Sequence, residues 1–267
     1  MKKQMLCLRG VMAREFLRFI HQRGRFLAAL VRPLVWLFIF AAGFRAVLGV
    51  SIVPPYQTYV LYETYITPGL VGVTLLFSSM QGSLAMVYDR ESGNMRVLLT
   101  APHPRWYLLF CKLIAVSLVA TVQAYAFLFI AAWWDVNPPF AGYLLALPAI
   151  MLAAFMLGAL GLLLSSLIRQ LENFAGVMNF VIFPMFFASS ALYPLWKIRE
   201  SSFLLWQIAS ANPFTHAVEL VRFSLYAAWN PLAFAVTAGC AAVFFALAVI
   251  GYNPTHALLR RRLPGGT

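Results

Sequence analysis

A short polar segment interrupts two long apolar stretches at residues 88–105, with the sequence YDRESGNMRVLLTAPHPR. Only 10% of the chain is charged, yet this segment gathers acidic and basic side chains, namely Asp89, Arg90, Glu91, Arg96 and Arg105. Carboxylates and guanidinium groups placed in this way form ion pairs with a partner protein or cap a helix. A solvated loop that merely reverses the chain is the alternative interpretation, and the residues alone leave both open.

No catalytic or metal-binding motif accompanies this segment. The sequence has no G-x-x-x-x-G-K-[ST] phosphate loop, no H-E-x-x-H, no C-x-x-C and no G-x-S-x-G. The four histidines lack the spacing of metal ligands and are His21, His103, His216 and His256. We therefore expect no catalytic residue, no metal site and no cofactor bound by this chain.

The elements around the segment are apolar stretches of membrane length. With 62% hydrophobic residues and a mean hydropathy of +0.81, the chain lies outside the range of soluble globular domains. A helix of about 20 apolar residues crosses the hydrocarbon core of a bilayer. The sequence predicts an all-α integral membrane protein whose six transmembrane helices form one domain, residues 31–260. Its spans cover about residues 33–50, 64–87, 107–132, 142–167, 173–192 and 232–252.

The net charge of +12 indicates orientation in a membrane and not nucleic-acid binding. Most of the 20 Lys and Arg residues fall on one side of an alternating six-span topology. The other side keeps only Arg45, Lys197, Arg199 and Arg222. Because positive charge stays in the cytoplasm, we expect both termini, the tail 261–267 and segment 88–105 to be cytoplasmic. The basic side also favours contact with anionic membrane lipid.

The N-terminal segment, residues 1–30, has the pattern of an amphipathic helix. Apolar residues recur at helical spacing, and Arg14 and Arg18 repeat one turn apart on another face. This pattern predicts a helix that lies in the cytoplasmic membrane interface. A basic leader that only enforces topology is the alternative.

Residues 193–230 are too polar for a membrane span and too apolar for an ordinary loop. Two short amphipathic patterns, divided by Asn212 and Pro213, predict two short re-entrant helices before the last span. Glu219 and Arg222 lie three residues apart on the second of them, so we expect them to pair. A role for these two residues in substrate binding is the alternative.

The fourth predicted span carries a stripe of small residues, Ala154, Gly158 and Gly161. Small residues allow helices to approach closely in lipid. We therefore expect this face to contact another helix.

The central parts of spans two to six contain no Asp, Glu, Lys, Arg or His. Ion-coupled carriers use ionisable or specifically polar groups at mid-membrane, and catalysis inside a bilayer needs an acid, a base or a nucleophile. If the protein moves a substrate, the energy must therefore come from a partner that acts on a cytoplasmic segment such as 88–105.

Two segments resemble ABC-2 type transporter permeases. Residues 88–112, YDRESGNMRVLLTAPHPRWYLLFCK, resemble the family segment after the second span, and the matching residues are Asp89, Arg90, Glu91, Gly93, Leu98, Leu99, Pro102 and Lys112. SSALYPL (189–195) and ANPFTHAVELVR (211–222) resemble the region before the last span. The matching residues there are Tyr193, Pro194, Asn212, Pro213 and Arg222.

The resemblance implies a coupling helix between spans two and three that docks on a separate ATP-binding cassette ATPase subunit. The N-terminal helix, with Arg14 and Arg18, would lie beside it, and ATP and Mg would be bound by the partner. The implied ATPase-coupling residues are Asp89, Arg90, Glu91, Gly93, Arg96, Leu98, Leu99 and Pro102. The implied re-entrant region contains Tyr193, Pro194, Asn212, Pro213, Glu219 and Arg222. A second permease copy, in a homodimer, would complete the passage.

The sequence therefore predicts the permease subunit of an ABC-2 exporter in a bacterial cytoplasmic (inner) membrane. It would move an amphiphilic, drug-like, lipidic or glycan substrate outward and would not itself be an enzyme. A membrane anchor or assembly subunit without a transport cycle is the first alternative. An integral membrane enzyme that acts on lipid is the second.

Overall fold

The computed structural model describes residues 2–21, 23–44, 54–56, 61–91, 104–134, 136, 138–168 and 170–252. Within these ranges the chain forms helices, turns and short connections, and contains no strand. In chain order the α-helices of this part are α1 (Lys2–His21), α2 (Arg23–Phe44), α3 (Tyr62–Glu91), α4 (Arg105–Ala131), α5 (Phe140–Leu167), α6 (Leu171–Phe187), α7 (Leu195–Ser201), α8 (Phe203–Ala211), α9 (Pro213–Leu225) and α10 (Pro231–Gly251). A single turn of 3-10 helix, Ala132–Trp134, follows α4.

Helices of membrane length dominate the fold. The stretches long and apolar enough to cross a membrane are Tyr62–Asp89, Arg105–Ala131, Phe140–Leu167 and Pro231–Gly251. Two shorter apolar stretches, Ala29–Ile39 and Leu171–Phe187, lie in α2 and α6. The predicted all-α class is confirmed for the described residues, and four of the six predicted spans correspond to helices of full membrane length.

The first predicted span differs from the observed helix. The sequence places this span at about residues 33–50, whereas α2 begins at Arg23 and continues through Pro33 without a break. Residues 45–50, including Arg45, lie outside the described residues. Because α2 begins so early, Arg32 is an internal residue of this helix.

Helix α5 is the centre of the bundle and packs against α3, α4, α9 and α10. The stripe of small residues faces α3. The hydroxyl of Ser79 donates a hydrogen bond to the Ala154 carbonyl oxygen (3.2 Å). A Cβ atom on Gly161 would lie 2.3 Å from Oγ of Ser83, so only glycine permits this approach. The helix contact predicted from the stripe is therefore confirmed.

The two ends of the bundle are defined by the ends of α3, and we call them the Asp89 end and the Tyr62 end. At the Tyr62 end, α3 packs against the turn 188–194 that follows α6. A Cβ atom on Gly69 would lie 2.2 Å from the carbonyl oxygen of Ala191, so this contact also requires glycine. The turn is thereby held against α3 at backbone distance.

The stretch 193–230 forms three short helices, α7, α8 and α9, where the sequence predicts two. Ser202 adopts an extended conformation (φ −157°, ψ 119°) that separates α7 from α8, and its hydroxyl caps α8. The side-chain oxygens of Asn212 and Asn230 accept hydrogen bonds from the Phe214 and Ala233 amides (2.9 and 3.0 Å). Each of these asparagines precedes a proline in the first helical turn, which is a strong signal for a helix start.

Candidate functional site

A cluster of ion pairs joins three helices at the Asp89 end. Asp89, near the end of α3, places Oδ2 at 3.2 Å from Nζ of Lys112 and 3.5 Å from Nη2 of Arg14. Its Oδ1 lies 3.6 Å from Nη2 of Arg18. Glu15 is the second acid, with Oε1 at 3.1 Å from Arg14 and at 3.9 Å from both Arg18 and Lys112. We call these five residues the Asp89 cluster.

The acids and the lysine of this cluster are nearly inaccessible to solvent. Lys112 is 2% exposed, Asp89 7% and Glu15 8%, while the two arginines are partly exposed. Three cations face two anions, which leaves a formal excess of one positive charge. Because buried charges are costly to leave unpaired, this arrangement binds α1 to α3 and α4.

The spacing of the charges on α1 explains how one helix supplies three members of the cluster. Arg14, Glu15 and Arg18 occupy positions i, i+1 and i+4, which fall on one side of a helix. Helix α1 packs chiefly against α4, and the Tyr107 hydroxyl donates a hydrogen bond to the Gln4 carbonyl oxygen (2.8 Å). The N-terminal helix therefore lies against the start of α4.

The predicted ATPase-coupling residues fall partly outside the described part of the chain. Asp89 belongs to the cluster, and Glu91 is the last residue of α3. Arg90 is in α3, and its side chain is not described. The remaining predicted coupling residues lie outside the described residues, and they are Gly93, Arg96, Leu98, Leu99 and Pro102.

Glu91 connects the end of α3 to the start of α6. Its Oε1 accepts a hydrogen bond from the backbone amide of Leu171 (2.8 Å), the first residue of α6. A carboxylate at a helix N-terminus satisfies a backbone amide that has no partner within the helix and interacts favourably with the helix dipole. The Asp89 end therefore joins α1, α3, α4 and α6.

A second polar site lies at the Tyr62 end and is centred on Arg222. The guanidinium is 1% exposed, forms an ion pair with Glu219 and donates from Nη2 to the Ser190 carbonyl oxygen (2.9 Å). It also stacks on the Tyr65 ring, with 4.1 Å between Cζ and the ring centroid. Burial lowers the pKa of Arg222, but the Glu219 carboxylate and the rings of Tyr65 and Tyr56 together raise it by more, so this pKa lies above its ordinary value.

The predicted re-entrant residues surround the turn 188–194. Asn212 donates from Nδ2 to the carbonyl oxygens of Met185 (2.8 Å) and Ala188 (2.7 Å), which closes the end of α6. Tyr193 is partly exposed, and Pro194 is buried directly before α7. Pro213 begins α9. These residues hold the short helices against the bundle, so their observed contacts are structural.

A cavity of about 260 Å³ lies beside Arg222, with Pro194, Trp196, His216, Glu219 and Asn230 among its lining residues. His216 bonds through Nε2 to the Ser210 carbonyl oxygen (3.0 Å). In the described part of the chain, no group of three side chains could hold a metal ion.

Comparison with known proteins decides the family. A model of the ABC-2 type transporter family matches residues 8–226, which include the Asp89 cluster, both described ends of segment 88–105 and the Arg222 site. The chain belongs to the ABC-2 type transporter family. The resemblance drawn from residues 88–112 and 189–222 is thereby confirmed.

Similar proteins carry transport names. Putative transport permease ycf38 of Cyanophora paradoxa is 25% identical over 215 residues, 79% of this chain and 71% of that protein. The Porphyra purpurea protein of the same name is 25% identical over 222 residues, 81% of this chain and 72% of that protein. Probable multidrug ABC transporter permease YbhR of Escherichia coli (strain K12) is 29% identical over 180 residues. That match covers 64% of this chain and 48% of YbhR.

Membership in the ABC-2 family defines the general role of the chain. The chain is a transport permease, and it is a membrane protein with several apolar helices. The family consists of membrane subunits of transporters, so the chain is not itself an enzyme.

Proposed function

We propose that this ABC-2 chain is the permease subunit of an exporter in a bacterial cytoplasmic membrane. Six membrane helices, namely α2 to α6 and α10, cross the bilayer, and both termini lie in the cytoplasm. The Asp89 end is cytoplasmic, and α7 to α9 re-enter the outer leaflet at the Tyr62 end. A separate ATP-binding cassette subunit binds ATP and Mg, and its hydrolysis drives an amphiphilic, drug-like, lipidic or glycan substrate outward.

The observation that carries this proposal is the position of the Asp89 cluster relative to segment 92–103. Asp89 lies just before this segment, Lys112 shortly after it, and the two side chains form an ion pair. Arg14 and Arg18 add α1 to the same pair. A force that a partner applies to the segment therefore reaches three helices together, because its two ends and α1 are joined by charges that are costly to separate.

Glu91 extends this connection to α6. Its carboxylate holds the amide of Leu171 at the start of α6, across 80 residues of sequence. Displacement of the α3 end therefore also moves the α6 start. Linked movement of helices around a passage is the way in which a transport subunit uses energy released in its partner.

Exposed apolar side chains support assembly with a second copy and contact with lipid. Helix α6 exposes Phe180, Phe183 and Phe187, and α10 exposes Val243 and Leu247. Side chains of this size need lipid or another protein surface over them. We propose that a homodimer covers one of these faces and membrane lipid the other.

The decisive experiment is coexpression with ATP-binding cassette ATPase subunits, beginning with any that is encoded beside the gene of this chain. The two chains should copurify, and their complex in sealed vesicles should translocate an amphiphile only with hydrolysable ATP. A partner whose catalytic glutamate is replaced by glutamine should still copurify and should not support transport. Failure to copurify, or transport by the permease alone, would contradict the proposal.

A further inference from the structure

An exposed arginine of α2 stacks on a phenylalanine of α3. The guanidinium carbon of Arg32 is 3.7 Å from the centroid of the Phe77 ring. Phe77 stands at the middle of α3, whose 30 residues extend from Tyr62 to Glu91. At a rise of 1.5 Å per residue, Phe77 is about 20 Å from either end of this helix. Because α3 is proposed to cross the membrane, the charge of Arg32 lies at the level of the middle of this span, and Phe77 is about 18 Å along the helix from Asp89.

Arg32 has no carboxylate within ion-pair distance among the described residues, and its side chain is exposed. Charged groups at this depth are rare, and they pair, line a water-filled cavity or bind a ligand. The aromatic face of Phe77 covers only one side of the guanidinium. The N–H groups in its plane stay available, because stacking on a ring leaves them free to bind a planar or tetrahedral anion.

The acids that the structure describes have other partners or positions, and none of them forms an ion pair with Arg32. Among the acids that the structure describes, Glu15 and Asp89 belong to the Asp89 cluster, Glu91 bonds to the start of α6 and Glu219 pairs with Arg222. Glu63 and Glu172 lie in the first turns of α3 and α6, and Glu200 lies in α7. Arg222, the partner of Glu219, stacks on Tyr65 near the Tyr62 end. An identical second copy carries these described acids at the same positions along its helices. At the level of Phe77 they therefore offer Arg32 no partner either.

Lipids at rest in the bilayer do not reach Arg32. Their phosphate groups lie at the membrane surfaces, about 15 Å or more from the midplane of the hydrocarbon core. An anion that meets Arg32 must enter the bilayer interior attached to a molecule in passage. Arg32 and the exposed apolar residues Val35 and Ile39 occupy positions i, i+3 and i+7, so they share one face of α2. This face joins a positive charge to an apolar surface.

We propose that Arg32, stacked on Phe77, binds the anionic group of the transported amphiphile midway through the membrane. The ligand class is a carboxylate, phosphate or sulfate joined to an apolar body that packs along Val35 and Ile39. This inference rests on the proposed export function and narrows its substrates to anionic amphiphiles. Arg32 selects the ligand by charge and takes no part in driving it across.

The test measures equilibrium binding to the purified permease in phosphatidylcholine nanodiscs, without ATP or any partner. The probes are a dansyl-labelled long-chain fatty acid and its primary amide, which differ only in the charged group. Wild type should bind the acid at least about tenfold more tightly than the amide, as expected for a charge-assisted contact in a desolvated site. Equal binding of the two probes by wild type would overturn the inference.

Variants assign the charge preference to Arg32. R32Q should bind both probes about equally, whereas R32K should keep a preference for the acid with several-fold weaker affinity. R199Q is the matched control, because Arg199 also lies over an aromatic ring, 5.1 Å from the centroid of Trp206, but in α7 at the Tyr62 end. It should behave as wild type. An undiminished preference in R32Q, or an abolished one in R32K, would overturn the assignment.

The binding experiment separates this inference from the export proposal. Charge-selective binding that depends on Arg32 supports the site even if no ATPase partner drives transport. ATP-driven transport of an uncharged amphiphile, with no binding preference for the acid, would instead leave the export proposal standing and eliminate the site.

Discussion

Nζ of Lys112 lies 3.2 Å from Oδ2 of Asp89, although the two residues are 23 positions apart in the sequence. The residues between them include the segment that connects α3 to α4. The two ends of this segment are therefore held together by a nearly buried ion pair. Arg14 and Arg18 approach the same carboxylate from α1. The N-terminal helix and both ends of the segment consequently form one unit, although they lie in three separate parts of the sequence.

Replacing Asp89 by asparagine is expected to destabilise this unit strongly. The variant keeps the size of the side chain and removes a carboxylate that lies beside Arg14, Arg18 and Lys112. Removal of one partner from a buried ion pair costs about 3–5 kcal/mol. The melting temperature of the purified protein should fall clearly, and ATP-driven transport by the complex should be lost.

The double variant Asp89→Leu, Lys112→Met is the matched control for this prediction. It removes one charge of each sign, so that the local excess of positive charge does not grow. Much of the lost stability should return, because well-packed apolar residues often replace a buried ion pair at little cost. A melting temperature unchanged by Asp89→Asn would show that the cluster contributes nothing to stability.

Replacing Arg14 and Arg18 together by glutamine is expected to loosen α1 and leave the bundle folded. Both arginines are partly exposed, and each exposed ion pair is worth about 1 kcal/mol or less. Lys112 keeps Asp89 as its partner. Hydrogen exchange of residues 2–21 should accelerate, with little change in melting temperature. Arg9→Gln is the control, since Arg9 is exposed and has no ion pair among the described residues; equal protection in all three proteins would contradict the prediction.

The fold class was predictable because the length and apolar character of a span are local properties of the sequence. The helix contact made by Ala154, Gly158 and Gly161 was predictable for the same reason. Three small residues on one face of a membrane helix indicate close packing against another helix. The start of the first span was not predictable from hydropathy. Arg32 and Pro33 mark a boundary in composition, but α2 continues through both.

The Asp89 cluster was predictable only in part. Arg14, Arg18 and Asp89 stand out by type and position, and Lys112 by its match to the family pattern. Glu15 was missed, because a single acid beside an arginine on a basic helix resembles an ordinary surface pair. Its burial depends on α1 folding against α4, which is distant in sequence. The one available signal was its place as the only acid in the first 60 residues.

Replacing Glu91 is expected to weaken the start of α6. Alanine removes the acceptor of the Leu171 amide, whereas glutamine keeps an acceptor and loses the charge that favours a helix N-terminus. Hydrogen exchange of the first turn of α6 should therefore be fastest in Glu91→Ala and intermediate in Glu91→Gln. Glu200→Gln, at an exposed position in α7, is the control and should leave α6 unchanged. Identical exchange in both Glu91 variants and wild type would exclude this connection.

Asn212 is expected to stabilise the Tyr62 end in two ways: its side-chain NH2 group donates hydrogen bonds to the end of α6, and its side-chain oxygen caps α9. Asn212→Asp keeps an acceptor for the Phe214 amide but loses both hydrogen bonds to the Met185 and Ala188 carbonyl oxygens, and places a carboxylate beside them. We expect a loss of about 2 kcal/mol and a lower melting temperature. Asn230→Asp is the matched control, because Asn230 also caps a helix and its side chain donates to no described residue. If the two variants melted at the same temperature, the bonds from Asn212 to the end of α6 would have no energetic role.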